Sequence, residues 1–186
     1  MEFKSFGDHA EHLLRKAEAL KANNVVLQRA VTAVHTVKVK RIFTDGKNVE
    51  GGKIGAYNRT NPLYINPKSS PVSVAPKGKD GQSKFKNGNQ KKTAYFPSYK
   101  AYRAAIGRPN SFVILFLSGD LRSDFAKPPQ KVGPNRFREG VTRKINGDKI
   151  DGAHAKYGNV FDGLTDTEHE LLMEVNQKEL VKYLST

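Results

Sequence analysis

The stretch Ser111–Phe125, SFVILFLSGDLRSDF, constrains the fold more than any other part of the chain. Its six consecutive apolar residues, Phe112 to Leu117, mix β-branched and aromatic side chains and stop at Ser118-Gly119-Asp120. A run apolar at every position reads as a strand buried on both faces. Beyond the turn, Leu121 and Phe125, with Arg122, Ser123 and Asp124 between them, suit a short amphipathic turn or a second strand. No other run is as apolar, so the fold is expected to wrap this one.

At 186 residues the chain fits one domain and is long enough to bury roughly two-thirds of its unfolded surface in a single core. Its parts read as a helical stretch over 1–43, a basic loop-rich excursion over 44–110, and a sheet core with a C-terminal helix over 111–186. Cysteine is absent. A disulfide framework and a thiolate zinc site are therefore excluded, and a reducing cytoplasm suits the chain. The opening MEFKSFGDHAEHLLRK carries acids and no apolar stretch of signal-peptide length, and no run approaches a membrane span. The expectation is a protein with no membrane partner.

The formal charge of +14 is unevenly placed. Lys38 to Arg108 holds sixteen Lys or Arg against three acids, Asp45, Glu50 and Asp80. From Asp162 to Thr186 the sign reverses, with six acids against Lys178 and Lys182. The chain is a charge dipole.

In chain order, Ser5 or Asp8 can cap a helix with Leu13, Leu14, Ala17 and Leu20 on its apolar side and Glu11 four residues before Arg15. After Asn23-Asn24, the apolar positions Val25, Leu27, Ala30, Val31, Val34 and Val37 predict a second helix that stops near Phe43, before Thr44-Asp45-Gly46. The alternation Val37-Lys38-Val39-Lys40 would also suit a strand. The Gly- and Pro-rich excursion keeps two short pieces, a strand at Leu63-Tyr64-Ile65 and a helix from Ser98 to Ile106. Arg136 to Ile145 alternates like a half-exposed strand antiparallel to Phe112–Leu117, turned by Asn146-Gly147-Asp148, with a further strand or helical turn over Ile150–Tyr157. Thr165 and Glu168 form a capping box for a last helix, with Leu171, Leu172, Val175, Leu180, less regularly Val181, and Leu184 inward.

No set of residues converges on catalysis. GKNVEGGKIG lacks the Gly-Lys-Ser/Thr of a phosphate loop, because Lys53 follows Gly52 but precedes Ile54. His9 and His12 lie three apart on a helix without a third ligand at a metal spacing, and His154 has no Ser, Cys or paired carboxylate beside it in sequence. The reading is of a chain that is not an enzyme and carries no cofactor. Chemistry concentrates instead in PKGKDGQSKFKNGNQKK, where Lys77, Lys79, Lys84, Lys86, Lys91 and Lys92 surround Phe85. Lysines with a lone aromatic suit phosphate-backbone contact, a solvated loop, or a segment that orders against an acidic protein neighbour.

Several short motifs then fall in a recognisable order: Arg41-Ile42-Phe43, Asp45-Gly46-Lys47, Gly52-Lys53-Ile54-Gly55 with Tyr57, Leu117-Ser118-Gly119-Asp120-Leu121-Arg122-Ser123, and Ala155-Lys156-Tyr157-Gly158. The chain resembles the virion-morphogenesis, or tail-completion, proteins of tailed bacteriophages of the Mu-like group. There a helix and a G-x-D-x-x-G-x-x-x-G-x-Y stretch lead to a T-G-x-L-x-x-S turn and a later Y-A-x-x-x-x-x-G segment. Ser118 stands where that turn has Thr, and residues 66–97 have no counterpart.

The resemblance implies an α+β fold in which a long N-terminal helix and a C-terminal helix pack on a small antiparallel β-sheet, with a long basic irregular loop. It implies a non-enzymatic virion protein of the head–tail neck, made in the bacterial cytoplasm and forming a ring between portal or connector and tail. Its partners would be other copies of itself, the neighbouring connector and tail proteins, and packaged DNA if the basic loop reaches it. Gly46, Gly55 and Gly119 would then be turn positions. A ring suits the charge dipole, the acidic side offered by Glu168, Glu170, Glu174 and Glu179 meeting the Lys38–Arg108 region of the next subunit. The competing expectation is a soluble nucleic-acid-binding module that uses residues 77–92 and forms no ring.

Overall fold

Asn23 and Asn24 interrupt what would otherwise be one long helix. In the computed structural model, which describes residues 6–65, 94–115 and 119–185, α1 (Phe6–Ala22) stops there and α2 (Val25–Lys40) begins. The Asn24 carboxamide oxygen accepts the Leu27 N–H at 2.9 Å, which satisfies one of the donors that a helix start leaves open. Buried Val26, Ala30, Val34 and Lys38 fall four apart along α2, so helical spacing prevails over the Val-Lys alternation. The alternation still misplaces one pair. Val37 is exposed and Lys38 is buried, because the Lys38 ammonium donates to Glu139 Oε2 at 2.7 Å across the interface.

A π-helical turn, Arg41–Asp45, extends α2 and ends on Gly46 at φ 62°. A Cβ at Gly46 would sit 2.4 Å from both Phe112 and the Val113 carbonyl. Glycine is required there on two counts, backbone sign and space.

The last helix, α6 (Asp166–Ser185), runs antiparallel to α2. Glu168 meets Arg41 at 2.7 Å, Glu179 meets Arg29 at 2.6 Å, and the Tyr183 carbonyl accepts from Lys16 on α1 at 2.9 Å. The capping box forms: the Glu168 N–H donates to Thr165 Oγ1 at 3.1 Å, and the Thr165 N–H donates to Glu168 Oε2 at 3.0 Å. Of the residues expected to point inward, Leu171, Leu172, Val175 and Leu180 are half-buried, whereas Val181 and Leu184 are exposed.

The main core gathers Ile42, Phe43, Ile54, Tyr57, Val113, Leu121, Phe125, Ala153, Val160 and Phe161. The rings of Phe43, Phe125 and Phe161 form a triangle with centroids 5.3–6.0 Å apart. Burying each such ring is worth about 1.5–3 kcal/mol. Two helices close this core, α4 (Asp120–Phe125) and α5 (Lys144–Tyr157). Two antiparallel ribbons complete an α+β fold. β1 (Leu63–Ile65) pairs with β2 (Ala94–Phe96), and β3 (Gln130–Gly133) pairs with β4 (Arg136–Arg138). A smaller apolar cluster joins β1 and β2 to α3 (Tyr99–Ala105) through Phe96, Tyr102, Leu63, Ile65 and Ile106. The Ser98 hydroxyl caps α3 by accepting from Ala101 N–H at 3.1 Å.

Three expectations are corrected. Residues 112–115 of the apolar run lie in no ladder; the Val113 N–H donates to the Gly55 carbonyl at 2.9 Å and the Ile114 N–H to the Tyr57 hydroxyl at 3.2 Å. The run supplies core side chains, but a loop and a phenol take its hydrogen bonds. Residues 116–118 lie outside the described set. The expected strand over Arg136–Ile145 shrinks to β4, whose partner is β3 and not the apolar run. Asn146-Gly147-Asp148 is no turn and lies within α5, because Asn146 is fully buried and its Nδ2 donates to Asp124 Oδ2 at 2.9 Å. A tertiary hydrogen bond outweighs the local turn preference.

Candidate functional site

The motif residues converge on one place although they are scattered from 41 to 158. Gly46 abuts Phe112 and Val113, Gly55 faces the Tyr157 ring, and Tyr57 binds the Ile114 N–H. Between the two glycines the chain closes on itself. The Asn48 N–H donates to the Gly52 carbonyl at 2.8 Å and the Gly51 N–H to the Asn48 carbonyl at 3.1 Å. These two amide protons are consumed within the loop.

Arg41 and Glu168 tie this node to α6. The Arg41 Nε donates to Glu168 Oε1 at 2.7 Å, and its Nη1 reaches the carbonyls of Lys47 at 3.2 Å and Val160 at 3.4 Å. Both side chains are buried. Removing one member of such a pair strands the other, at a cost of about 3–5 kcal/mol.

A second polar knot holds α4 to α5. Asp124 is buried and accepts from Asn146, Lys127, the Thr142 hydroxyl and the backbone N–H groups of Thr142 and Arg143, all within 3.1 Å. These donors, Asn146 foremost and then Lys127 and Thr142, hold its carboxyl far below the usual carboxylate range. A carboxylate with its lone pairs so occupied is a structural acceptor and not a base poised for proton transfer. Glu139 sits between His35 Nδ1 at 3.2 Å and Lys38 Nζ at 2.7 Å. Burial pushes the Glu139 carboxyl up, but the bonds to His35 and Lys38 and the lysine charge prevail and hold it at about 2.

Beside the node lies a cavity of about 320 Å³ walled by Tyr57, Tyr99 and Tyr157, by Val113, Leu115 and Leu121, and by three cations, Arg103, Lys149 and Lys156. Arg103 is buried under the Tyr57 ring, its guanidinium carbon 4.5 Å from the ring centroid. Burial raises the Tyr57 phenol above its ordinary value, only partly offset by its bond to the Ile114 amide and by Arg103. The sequence marked Tyr57 and Tyr157 as motif positions, and Tyr99 falls inside the helix expected from Ser98 to Ile106. Arg103 went unmarked, and its one signal is a cation directly after Tyr102 on the apolar side of a short helix.

The residues singled out from sequence fall in different places. Glu168 is buried against Arg41 and Glu179 is paired with Arg29, whereas Glu170 and Glu174 are exposed on α6. Lys77, Lys79, Lys84, Phe85, Lys86, Lys91 and Lys92 lie outside the described residues, but the pairing of Ile65 with Ala94 brings the two ends of their segment side by side. Among the described residues, no group of three or more His, Cys, Asp or Glu side chains could hold a metal, and no helix is long and apolar enough to cross a membrane. His154 accepts the Phe161 N–H at 3.3 Å through Nε2 and packs on the Phe161 ring, a structural position. His9 and His12 lie on α1. No protein-family model matches the chain, and neither a curated protein nor a solved structure matches it.

Proposed function

We propose that this chain is a non-enzymatic virion protein of a tailed bacteriophage, acting at the head–tail neck as a ring between portal or connector and tail. The observation that carries the reading is the fate of the motif residues. Gly46, Gly55, Tyr57 and Tyr157, the positions on which the resemblance rests, meet around Val113 and spend their backbone freedom, space and hydroxyl on holding the chain together. Motif residues used in this way suit a scaffold whose working parts are its surfaces. The sequence also separates its charge into a basic 38–108 region and an acidic α6, which suits a head-to-tail ring contact.

Quantitative mass spectrometry of purified particles tests the reading. About six or twelve copies per particle fit a closed ring at a neck. Absence of the chain from the particle overturns it. A second reading is favoured by the lysines of residues 77–92: a nucleic-acid-binding module with no ring. Nucleic acid separates the two, because the module binds an oligonucleotide with an affinity that falls linearly on a log–log plot as salt rises, whereas the ring reading has copies of the chain assembling with no nucleic acid present.

A further inference from the structure

Arg103 has only 1 % of its surface exposed. Its Nε donates to the Pro109 carbonyl at 2.8 Å, while Nη2 is buried with no hydrogen-bond partner among the described residues. Among the described residues no carboxylate forms an ion pair with it, and none of the residues described as lining the cavity is acidic. Lys149 and Lys156 add to the positive potential at the same cavity. A buried guanidinium with an unbonded donor is costly even with the Tyr57 ring against it, and its planar fork fits a carboxylate best.

The rest of the wall decides which anion. Three tyrosine rings and three aliphatic side chains surround one buried cation, so the site admits a single acidic branch with an apolar neighbour. A nucleic-acid backbone is held by a long row of cations along a groove, whereas this pocket sets two exposed lysines beside one buried arginine. A surface of the matching chemistry exists on the same molecule: on α6, Glu170 and Glu174 stand one turn apart with Met173, 59 % exposed, between them.

We propose that the Arg103 cavity receives α6 of a second copy of this chain, a glutamate from the pair Glu170 and Glu174 meeting Arg103 while Met173 lies against the tyrosines. The contact is heterologous, so each subunit offers its acidic helix to one neighbour and its cavity to the other. This inference rests on the ring reading.

Full-length variants distinguish the two. Light scattering coupled to gel filtration is run on the wild type, on K149E/K156E with a damaged cavity, on E170K/E174K with a damaged helix, and on their mixture. All four lysine and glutamate positions are exposed, and circular dichroism verifies that each variant folds. The expected result is an assembled wild type, two variants that do not assemble alone, and assembly regained on mixing, since an intact helix then meets an intact cavity and the reversed helix meets the reversed cavity rim. Variants that assemble like the wild type overturn the inference and leave the ring reading standing. If the wild type is monomeric the ring reading loses its support, and the cavity is then probed by NMR of the Arg103 Nε–H. A peptide of residues 166–180 should shift that signal saturably, and its counterpart with Gln at 170 and 174 should bind about tenfold more weakly or less. No shift with the acidic peptide, an equal shift with both, or a shift with inorganic phosphate or oligothymidylate alone overturns the inference.

Discussion

Single atoms decide the stability of the motif node. Gly46 and Gly107 both have positive φ, 62° and 68°, but a Cβ at Gly46 meets backbone and ring atoms whereas one at Gly107 meets nothing within 4 Å. Gly107→Ala should therefore cost only the left-handed backbone term, about 1–2 kcal/mol. Gly46→Ala should cost clearly more, and paired urea titrations read the difference. Acid sensitivity is also set by single groups. The folded-state values of Asp124 and Glu139 both lie below their ordinary ones, so the stability these groups contribute is fully present at neutral pH and is lost on acidification. For Glu139 the loss spans the fall from its ordinary 4.5 to about 2. The urea midpoint should drop through that window, and Glu139→Gln should flatten the drop.

At the scale of elements, legibility followed whether the signal was local. Asn24, Gly46, Ser98 and the Thr165–Glu168 box act on backbone groups within a few residues, and each helix end they announced is where the chain puts it. The apolar run failed as a strand because a strand needs a partner that its own sequence does not name, and Gly55 and Tyr57 took that place. α5 was illegible for the same reason, its turn-like Asn146-Gly147-Asp148 being held helical by Asp124 on another element. Arg103 was missed because a lone arginine on a helix reads as solvated until the fold buries it. α5 also carries a removable weakness. Gly152 has no neighbour within 4 Å of an added Cβ and no positive φ. Gly152→Ala should stabilise the protein by about 0.5–1 kcal/mol, read as a rise in thermal midpoint.

For the whole molecule, the α+β class was what the family resemblance implied, and the separation of charge was legible from simple counting. How α6 lies along α2 was not, since the buried pair Arg41–Glu168 and the exposed pair Arg29–Glu179 join residues more than a hundred positions apart. Half of the acids assigned to an intersubunit face thus serve the fold, and Glu170 and Glu174 remain for a neighbour. The register of β1 with β2 has a different kind of consequence. Because Ile65 and Ala94 are directly paired, the chain between them enters and leaves through a single gate the width of a hairpin. Replacing 66–93 by Asn-Gly, the preferred two-residue closure of such a ribbon, should keep Ile65 paired with Ala94, read as their cross-strand amide contacts by NMR, while removing Lys77 to Lys92. The basic segment is in this sense a cassette, with both its ends at one place on the surface of the fold, and an experimenter can transplant it to ask what it recognises.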